Sequence, residues 1–209
     1  MILVTGFEPF GHHADNPSRE IAKAVDGRHI GGRAVRGSVL PVHHADAAAA
    51  MERLMAELDP LAVVHLGLAE GRARIGLERV AINVLDYPIP DAGGYRAVDE
   101  PCVVGGPVAY VSTLPLRSIL SALTAEGIPA LISNSGGTYL CNQTLYATLH
   151  LVATRGRRGR VGFLHLPLLP SMVAASGVDQ PSMAAATMLR AVEVTLEVIA
   201  SSSDREREG

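Results

Sequence analysis

Short apolar runs with strand character alternate with helical patterns along most of the chain, and this alternation limits the fold more than any other feature. Strands and helices that alternate through short connections form a mostly parallel sheet with helices on both faces. We therefore predict an α/β fold, a single-domain three-layer α/β/α sandwich on a mostly parallel twisted sheet. In such sheets, sites gather beyond the carboxyl ends of the strands.

The predicted strands cover residues 2–5, 33–42, 61–67, 78–85, 128–133 and 161–170. Gly6 is expected to end the first of them. The predicted helices begin at Pro17, capped by Asn16, and cover 44–58, 114–127, 142–155 and roughly 180–200. Residues 86–107 are rich in Pro, Gly and Asp, which predicts a long irregular segment that is functional or mobile. Residues 1–200 are predicted to form a single domain, and 201–209 a polar, disordered tail.

Composition excludes several classes of function. A chain of 209 residues with 48% hydrophobic content can bury a core without disulfides, and its two cysteines fit a reducing cytoplasm. A net charge of −3 without a long basic block argues against nucleic acid as a partner, and RGRRGR at 155–160 is interpreted as a solvated loop. No CxxC or HExxH spacing suggests a metal, and no apolar run predicts a membrane span.

The stretch from Ser133 to Tyr146 places one cysteine where a predicted strand gives way to a predicted helix. Small, glycine-containing residues up to Thr138 allow a sharp turn and bring backbone N–H groups close to a ligand. Cys141 then falls within about one turn of the helix N-terminus, where the partial positive charge favours a thiolate and a lowered pKa. Two interpretations stay open for Cys141, a small buried side chain and a nucleophile.

A cysteine nucleophile needs a base and a group that orients the base. His165 interrupts an apolar strand just before a Leu-Pro pair, so it is either a hydrogen-bonded structural residue or the base. Glu78 opens an apolar strand and is the candidate acid, with a surface carboxylate as the alternative.

The other histidines and the second cysteine are given structural interpretations. The paired histidines, His12, His13, His43 and His44, are predicted to be solvated surface residues. His65 lies in an apolar strand, where it could be a hydrogen-bonded core histidine. Cys102 has no neighbour in sequence that would activate it and is predicted to be structural.

Phe7 and Phe10 share the loop GFEPFG, although the chain has only three phenylalanines. They are either a local hydrophobic plug or two flat faces that bind a small planar ligand. Neither GxGxxG nor GxxxxGK[ST] occurs, so the sequence gives no sign of a phosphate cradle.

Six segments carry a more specific signal: TGFEPFG at 5–11, GLAEGR at 67–72, ERVAIN at 78–83, IPD at 89–91, GGTYLCN at 136–142 and GFLHLP at 162–167. Together, and in this order, they resemble the pyroglutamyl peptidase I family, also called pyrrolidone carboxyl peptidases. The resemblance runs from the first strand to about residue 170. It implies a catalytic cysteine, histidine and glutamate at Cys141, His165 and Glu78, with no metal and no organic cofactor.

The resemblance also implies a substrate and a pocket. The implied activity is that of a cysteine exopeptidase, which hydrolyses the amide bond after an N-terminal pyroglutamyl residue of a peptide or protein through an acyl-enzyme. The implied pocket residues are Phe7, Phe10, Ile89, Tyr139 and Leu140, with backbone groups around Leu68 meeting the lactam. Members of the family are commonly homotetramers, in which the 86–107 segment would be a contact or a lid.

One departure from the family pattern concerns the oxyanion. Many members carry an arginine where this chain has Pro88. The resemblance therefore implies another donor, either Arg79 or backbone N–H groups.

Two alternative functions remain. One belongs to proteins with the same kind of sheet, and the other would bind the same pyroglutamyl peptides without hydrolysing them. A nucleoside-phosphorylase-like transferase has the same kind of sheet, but the missing phosphate-binding pattern argues against it. A catalytically inactive pyroglutamyl-peptide-binding module is the second, and the complete set of Cys141, His165 and Glu78 argues against that.

Overall fold

A central seven-stranded sheet organises the molecule in a computed structural model that describes residues 1–156 and 159–208. The strands are β1 (Ile2–Phe7), β2 (His29–Ile30), β3 (Arg33–Leu40), β4 (Ala62–Leu68), β5 (Ile75–Glu78), β6 (Val80–Ile82), β7 (Ala109–Val111), β8 (Ala130–Ser133) and β9 (Arg160–Leu166). The main sheet has the order β2-β3-β1-β4-β9-β5-β8, and β6 pairs with β7 in a separate two-stranded sheet. The sheet is mostly parallel, although β5 runs antiparallel to β9 and β2 antiparallel to β3.

Helices cover both faces of this sheet. In the described part of the chain they are α1 (Pro17–Val25), α2 (His44–Leu58), α3 (Leu116–Ala125), α4 (Leu140–Thr154), α5 (Pro170–Ser176) and α6 (Ala185–Glu208). One hydrophobic cluster packs α1, α3 and α6 against the face that carries Val4 and Leu66. A second packs α2 and α4 against the face that carries Leu3 and Phe163. This arrangement confirms the predicted α/β fold.

The register of three neighbouring strands brings chemically active side chains to one face. Gly67 of β4 and Gly76 of β5 both pair with His165 of β9. Because side chains alternate along a strand, Glu78 points to the same face as Gly76 and hence as His165. Helix α4, which carries Cys141, packs on this face.

The strand predicted over 78–85 is broken in the structure. Strand β5 ends at Glu78, and the chain leaves the main sheet at Arg79, whose N–H donates to the Ser133 carbonyl at 2.7 Å. The Arg79 carbonyl accepts from the N–H of Ser112 at 2.8 Å, which starts the pairing of β6 with β7. One continuous strand is therefore a wrong prediction, because an apolar run does not reveal where a strand changes its partner.

Gly6 does not end β1, which continues to Phe7. A Cβ atom at Gly6 would lie 2.1 Å from the carbonyl oxygen of Ser18. The glycine is needed for the close packing of α1 on β1 rather than for a turn.

The 86–107 segment contains no helix and no strand, which confirms the predicted irregular segment. It is nevertheless held by specific hydrogen bonds. The Asp91 carboxylate accepts from the backbone N–H groups of Gly93 and Tyr95, both at 2.9 Å, and of His44 at 2.8 Å. The Asn83 side chain donates to the Val103 carbonyl at 2.9 Å. The segment is thus attached to the start of α2 and to the chain after β6.

The C-terminal part of the described chain continues as helix α6. Helix α6 extends to Glu208, whereas disorder is predicted from 201. The hydroxyls of Ser201 and Ser202 donate to carbonyls one turn earlier, as expected where a helix continues. The solvated loop predicted at 155–160 lies partly outside the described residues, since 157 and 158 are not described. Among the residues that are described, no helix has both the length and the apolar character to cross a membrane.

Candidate active site

Cys141 is the second residue of α4 and follows the turn that leaves β8. The hydroxyl of Thr138 donates to the Asp86 carbonyl at 2.6 Å, which ties this turn to the 86–107 segment. The first turn of a helix has backbone N–H groups without helical partners. The predicted position of Cys141 at a helix N-terminus is confirmed, and it places such donors around the sulfur.

Asn142 fixes the start of α4 from the other side of the cysteine. Its buried amide accepts from the N–H of Ile82 at 2.9 Å and donates to the carbonyls of Ile82 and Val84 at 2.9 and 3.0 Å. The cysteine therefore lies on a helix end that is bound to β6.

His165 and Glu78 form a buried pair at the carboxyl end of β9. The Nδ1 atom of His165 lies 2.8 Å from Oε1 of Glu78, and the exposed fractions of the two residues are 5% and 0%. Arg72 donates to the same oxygen at 2.9 Å. The other oxygen, Oε2, is buried with no hydrogen-bond partner in the described residues. A carboxylate at Nδ1 holds the imidazole in the tautomer that leaves Nε2 as the acceptor.

Gly67 shows how the sulfur approaches this pair. A Cβ atom built on Gly67 would lie 2.9 Å from Sγ of Cys141, so the sulfur lies above this position of β4. Gly67 pairs in register with His165, and neighbouring strands are about 4.8 Å apart. The sulfur is therefore about one strand spacing from the position of His165, on the same face of the sheet.

The electrostatics of the site differ from the prediction. Burial, followed by the negative charge of Glu78, raises the pKa of the Cys141 thiol to about 12, against smaller opposing effects of its own backbone N–H and of Arg72. Desolvation therefore outweighs the charge of the helix N-terminus, which by itself would favour the thiolate. Burial also raises the pKa of Glu78, but His165, Ser133 and Arg72 together bring it below its ordinary value.

Most of the predicted pocket residues border one small pocket beside the sulfur. They are Phe7, Phe10, Leu68, Tyr139 and Leu140, and Cys141 itself forms part of the wall. The rings of Phe10 and Tyr139 are 6.1 Å apart at their centroids. Ile89 lies outside this pocket and borders a neighbouring cavity of about 240 Å³, which shares Phe10 and Leu68 with it.

The remaining histidines and Cys102 have other environments. His65 is fully buried between the hydroxyls of Thr5 at 2.7 Å and Thr148 at 3.1 Å, which confirms a hydrogen-bonded core histidine. Burial lowers its pKa to about 3. Cys102, whose pKa burial raises to about 12, contacts the amide of Asn142 and is structural, as predicted.

Solvated surface is a correct description of only one of the paired histidines. His12 is exposed, whereas His13, His43 and His44 are half-buried. His43 caps α2, and His44 stacks on Tyr95 with ring centroids 4.2 Å apart.

Sequence reasoning missed three residues of the site. Arg72 lies in the GLAEGR turn before β5, and its guanidinium forms an ion pair with Glu78. The backbone of Arg79, the arginine suggested as an oxyanion donor, is hydrogen-bonded to Ser133 and Ser112. Gly67 and Asn142 were also not predicted, although Gly67 lies in the GLAEGR segment and Asn142 in the GGTYLCN segment. Their roles depend on distances through space that the order of residues does not contain.

Comparison with known proteins gives a consistent result. The family model described as pyroglutamyl peptidase matches residues 1–202. The pyrrolidone-carboxylate peptidases of Pyrococcus furiosus and Klebsiella pneumoniae are 46% and 45% identical to this chain, and each alignment covers 94% of it and 96% or 91% of the relative.

Solved structures agree with the sequence relatives. A mutant pyrrolidone carboxyl peptidase from Pyrococcus furiosus has a TM-score of 0.94 at 45% identity, over 96% of this chain and 98% of that one. The enzyme from Thermococcus litoralis has a TM-score of 0.95 at 40% identity, over 98% and 95%. With residues 1–202 matched by the family model and the fold shared with solved members, the chain belongs to the pyroglutamyl peptidase family of cysteine peptidases.

Proposed function

We propose that the protein hydrolyses the amide bond between an N-terminal pyroglutamyl residue and the next residue of a peptide or protein, with Cys141, His165 and Glu78 as catalytic residues. The observation that carries this proposal is the 2.8 Å contact between His165 and Glu78 beside the sulfur of Cys141. Family membership supports the substrate class, and the site supports the chemistry.

The protonation states suggest how the reaction begins. Cys141 is a neutral thiol at neutral pH, because burial keeps its pKa high. His165 therefore takes the thiol proton at Nε2 as Sγ attacks the pyroglutamyl carbonyl carbon. The ionised Glu78 stabilises the imidazolium that forms. Backbone N–H groups at the start of α4 would receive the oxyanion, and such donors are typically worth about 3 kcal/mol each.

Two proton transfers complete the cycle. The tetrahedral intermediate collapses as the C–N bond breaks, and His165 gives its proton to the leaving amine. The pyroglutamyl group is then a thioester on Cys141. Water, deprotonated by His165, attacks this thioester, and the proton returns to the sulfur when pyroglutamate leaves.

The lining of the pocket suits a neutral five-membered lactam, and its volume of about 10 Å³ requires the walls to move apart when the ring enters. A pyroglutamyl terminus has no ammonium group, so apolar walls such as Phe10, Leu140 and Tyr139 are appropriate. The lactam N–H and C=O need partners, because each left unpaired would cost about 1–3 kcal/mol. We assign these partners to backbone groups around Leu68, at the end of β4.

Release of a chromophore from a pyroglutamyl amide tests the proposal. Cys141→Ala is expected to abolish turnover, whereas Cys102→Ala, at the half-buried structural thiol, should retain it if the variant folds. Release of amine by the Cys141→Ala variant, or binding without turnover by the unaltered protein, would contradict the mechanism. Phosphate-dependent cleavage of a nucleoside would replace it with transferase chemistry.

Assembly and location form a separate proposal. We propose a cytoplasmic homo-oligomer, a tetramer by analogy with the family. Exposed valines in and after the 86–107 segment, Val98, Val104, Val108 and Val111, supply an apolar surface for such contacts. Light scattering coupled to gel filtration would measure the number of chains, and a monomer at micromolar concentration would contradict the proposal.

A further inference from the structure

Three potential metal ligands meet outside the catalytic residues. His12 and His13 follow β1, and Glu70 follows β4, yet one ligand atom from each lies within 4.8 Å of the other two. The group borders two cavities, of about 260 and 240 Å³. The second cavity is also lined by Phe10, Leu68 and Ile89, and it shares Phe10 and Leu68 with the pocket beside Cys141. The cluster is therefore next to the proposed substrate pocket.

The distance between His13 and Glu70 suits a shared ion. Nε2 of His13 lies 3.3 Å from Oε2 of Glu70, which is longer than the usual 2.9–3.0 Å of an N–H···O bond. Two ligands of a tetrahedral Zn²⁺ ion, each about 2.0–2.1 Å from the metal, are about 3.3 Å apart. The observed separation therefore equals one edge of such a site. The ligand atom of His12 lies within 4.8 Å of both, so a movement of its side chain would complete a three-ligand face.

Neighbouring groups already orient the ligands. The side-chain amide of Gln180 donates to Oε1 of Glu70 at 3.0 Å, which leaves Oε2 directed towards His13. The ring of His13 packs edge-on to Phe10, with centroids 6.3 Å apart, and its side chain is only 12% exposed. The rings of His12 and His13 lie 4.1 Å apart. A hydrogen-bonded carboxylate and a held imidazole are usual features of metal ligands.

We propose that His12, His13 and Glu70 bind a divalent transition-metal ion of the Zn²⁺ class. Two imidazoles and one carboxylate match the ligand preference of such ions better than that of Mg²⁺ or Ca²⁺, which prefer oxygen ligands alone. With three protein ligands, the ion keeps a position for water. The bound ion joins the loop after β1 to the turn after β4 and restrains Phe10 next to the pocket.

Sequence spacing could not indicate this site. The two histidines are adjacent in sequence and Glu70 follows 57 residues after His13, so no short motif exists. The expectation that the chain binds no metal rested on the absence of such motifs. The ligands converge because β1 and β4 are neighbours in the sheet.

Calorimetric titration with Zn²⁺ tests the proposal in untagged protein carrying Cys141→Ala, which removes the thiol of the catalytic site as a competing ligand. Metal binding does not depend on peptidase activity, so this result and the proposed function can fail separately. We expect one Zn²⁺ per chain. Adding His13→Ala or Glu70→Gln should weaken binding by about tenfold or more. His29→Gln, at an exposed histidine of β2, should leave the affinity unchanged.

Co²⁺ gives a second readout, since the intensity of its visible absorption reports coordination geometry. Intense bands that disappear with Glu70→Gln would support a tetrahedral site, even if His13→Ala fails to fold. The proposal is overturned if the Cys141→Ala protein takes up no Zn²⁺ at millimolar concentration. Equal affinity in the Glu70→Gln and parent proteins would overturn it as well.

Discussion

Glu78 both orients His165 and supplies the negative charge that the proposed mechanism needs. It is completely buried, and its Oε1 atom meets both His165 and Arg72. A buried carboxylate is stable only with such partners. The same contacts that keep Glu78 ionised also hold His165, so orientation of the base and retention of the charge depend on one oxygen.

Glu78→Gln tests this coupling. The amide keeps the shape but removes the charge that selects the imidazole tautomer and stabilises its protonated form. We expect kcat for a pyroglutamyl amide to fall by about a thousandfold or more, with a smaller change in KM. Glu126→Gln, at an acid on the surface, is the control. A Glu78→Gln enzyme with kcat within about tenfold of the parent would show that His165 needs no such partner.

The thiol of Cys141 makes a second prediction at this scale. Its raised pKa means that the protonated form dominates at neutral pH and that thiolate increases as pH rises. Alkylation by iodoacetamide should therefore accelerate by about tenfold per pH unit between about pH 7 and pH 9. Mass spectrometry of the peptide that contains Cys141 follows the rate. A rate that is already constant above about pH 6 would indicate a thiolate–imidazolium pair instead.

At the scale of elements, the end of β4 must be small to admit α4. A Cβ on Gly67 would lie 2.7 Å from the ring of Phe163 and 2.9 Å from Sγ of Cys141. Gly67→Ala is therefore expected to displace the cysteine and lower kcat by about a hundredfold, since small misplacements of reacting groups are costly. Circular dichroism should still show the folded protein.

Gly159→Ala is the matched control. The added methyl would meet its nearest atom, the Pro60 carbonyl oxygen, at 3.4 Å, which is ordinary contact. Gly159 precedes β9 at the end of the strand opposite to His165. Activity of the control should match that of the parent. Unchanged kcat in Gly67→Ala would show that α4 can move without loss of alignment.

Helices with clear caps were the elements that sequence predicted best. Asn16 and Pro17 start α1 as expected, and α2 has the predicted bounds, because capping and amphipathic periodicity are local properties. The predictions failed for elements whose boundaries are set by strand pairing. The break at Arg79 and the short strand β7 depend on partners far along the chain, whereas β2 has only two residues and pairs with the adjacent β3.

At the scale of the whole molecule, the candidate site joins residues from the first strand to β9. Sequence segments were enough to select Cys141, His165 and Glu78 as candidates, and the structure brings His165 and Glu78 into contact. The same segments did not reveal Arg72 as the second partner of Glu78, nor the raised pKa of Cys141. Both follow from burial and strand register, which exist only after the sheet has formed.

Burial of His65 links the stability of the whole molecule to pH. The histidine lies between β1 and α4 in a site that favours its neutral form, and its pKa falls from the ordinary 6.5 to about 3. The unfolded chain therefore binds a proton below about pH 6.5 that the folded chain rejects. The free energy of unfolding should therefore decrease as the pH is lowered below about 6.5. The slope of this decrease approaches about 1.4 kcal/mol per pH unit.

His65→Gln removes this titration while an amide can still bond to Thr5 or Thr148. Urea unfolding should give the free energy of unfolding of the parent and the variant as a function of pH. Between about pH 6.5 and pH 5, the parent should lose roughly 2 kcal/mol more than the variant. This window lies above the range in which loss of the Glu78 charge would also destabilise the fold, since the pKa of Glu78 is lowered. His29→Gln should keep the parent slope. Parallel curves for His65→Gln and the parent would mean that the folded protein accepts the proton at His65, and that the buried site opens to water before the molecule unfolds.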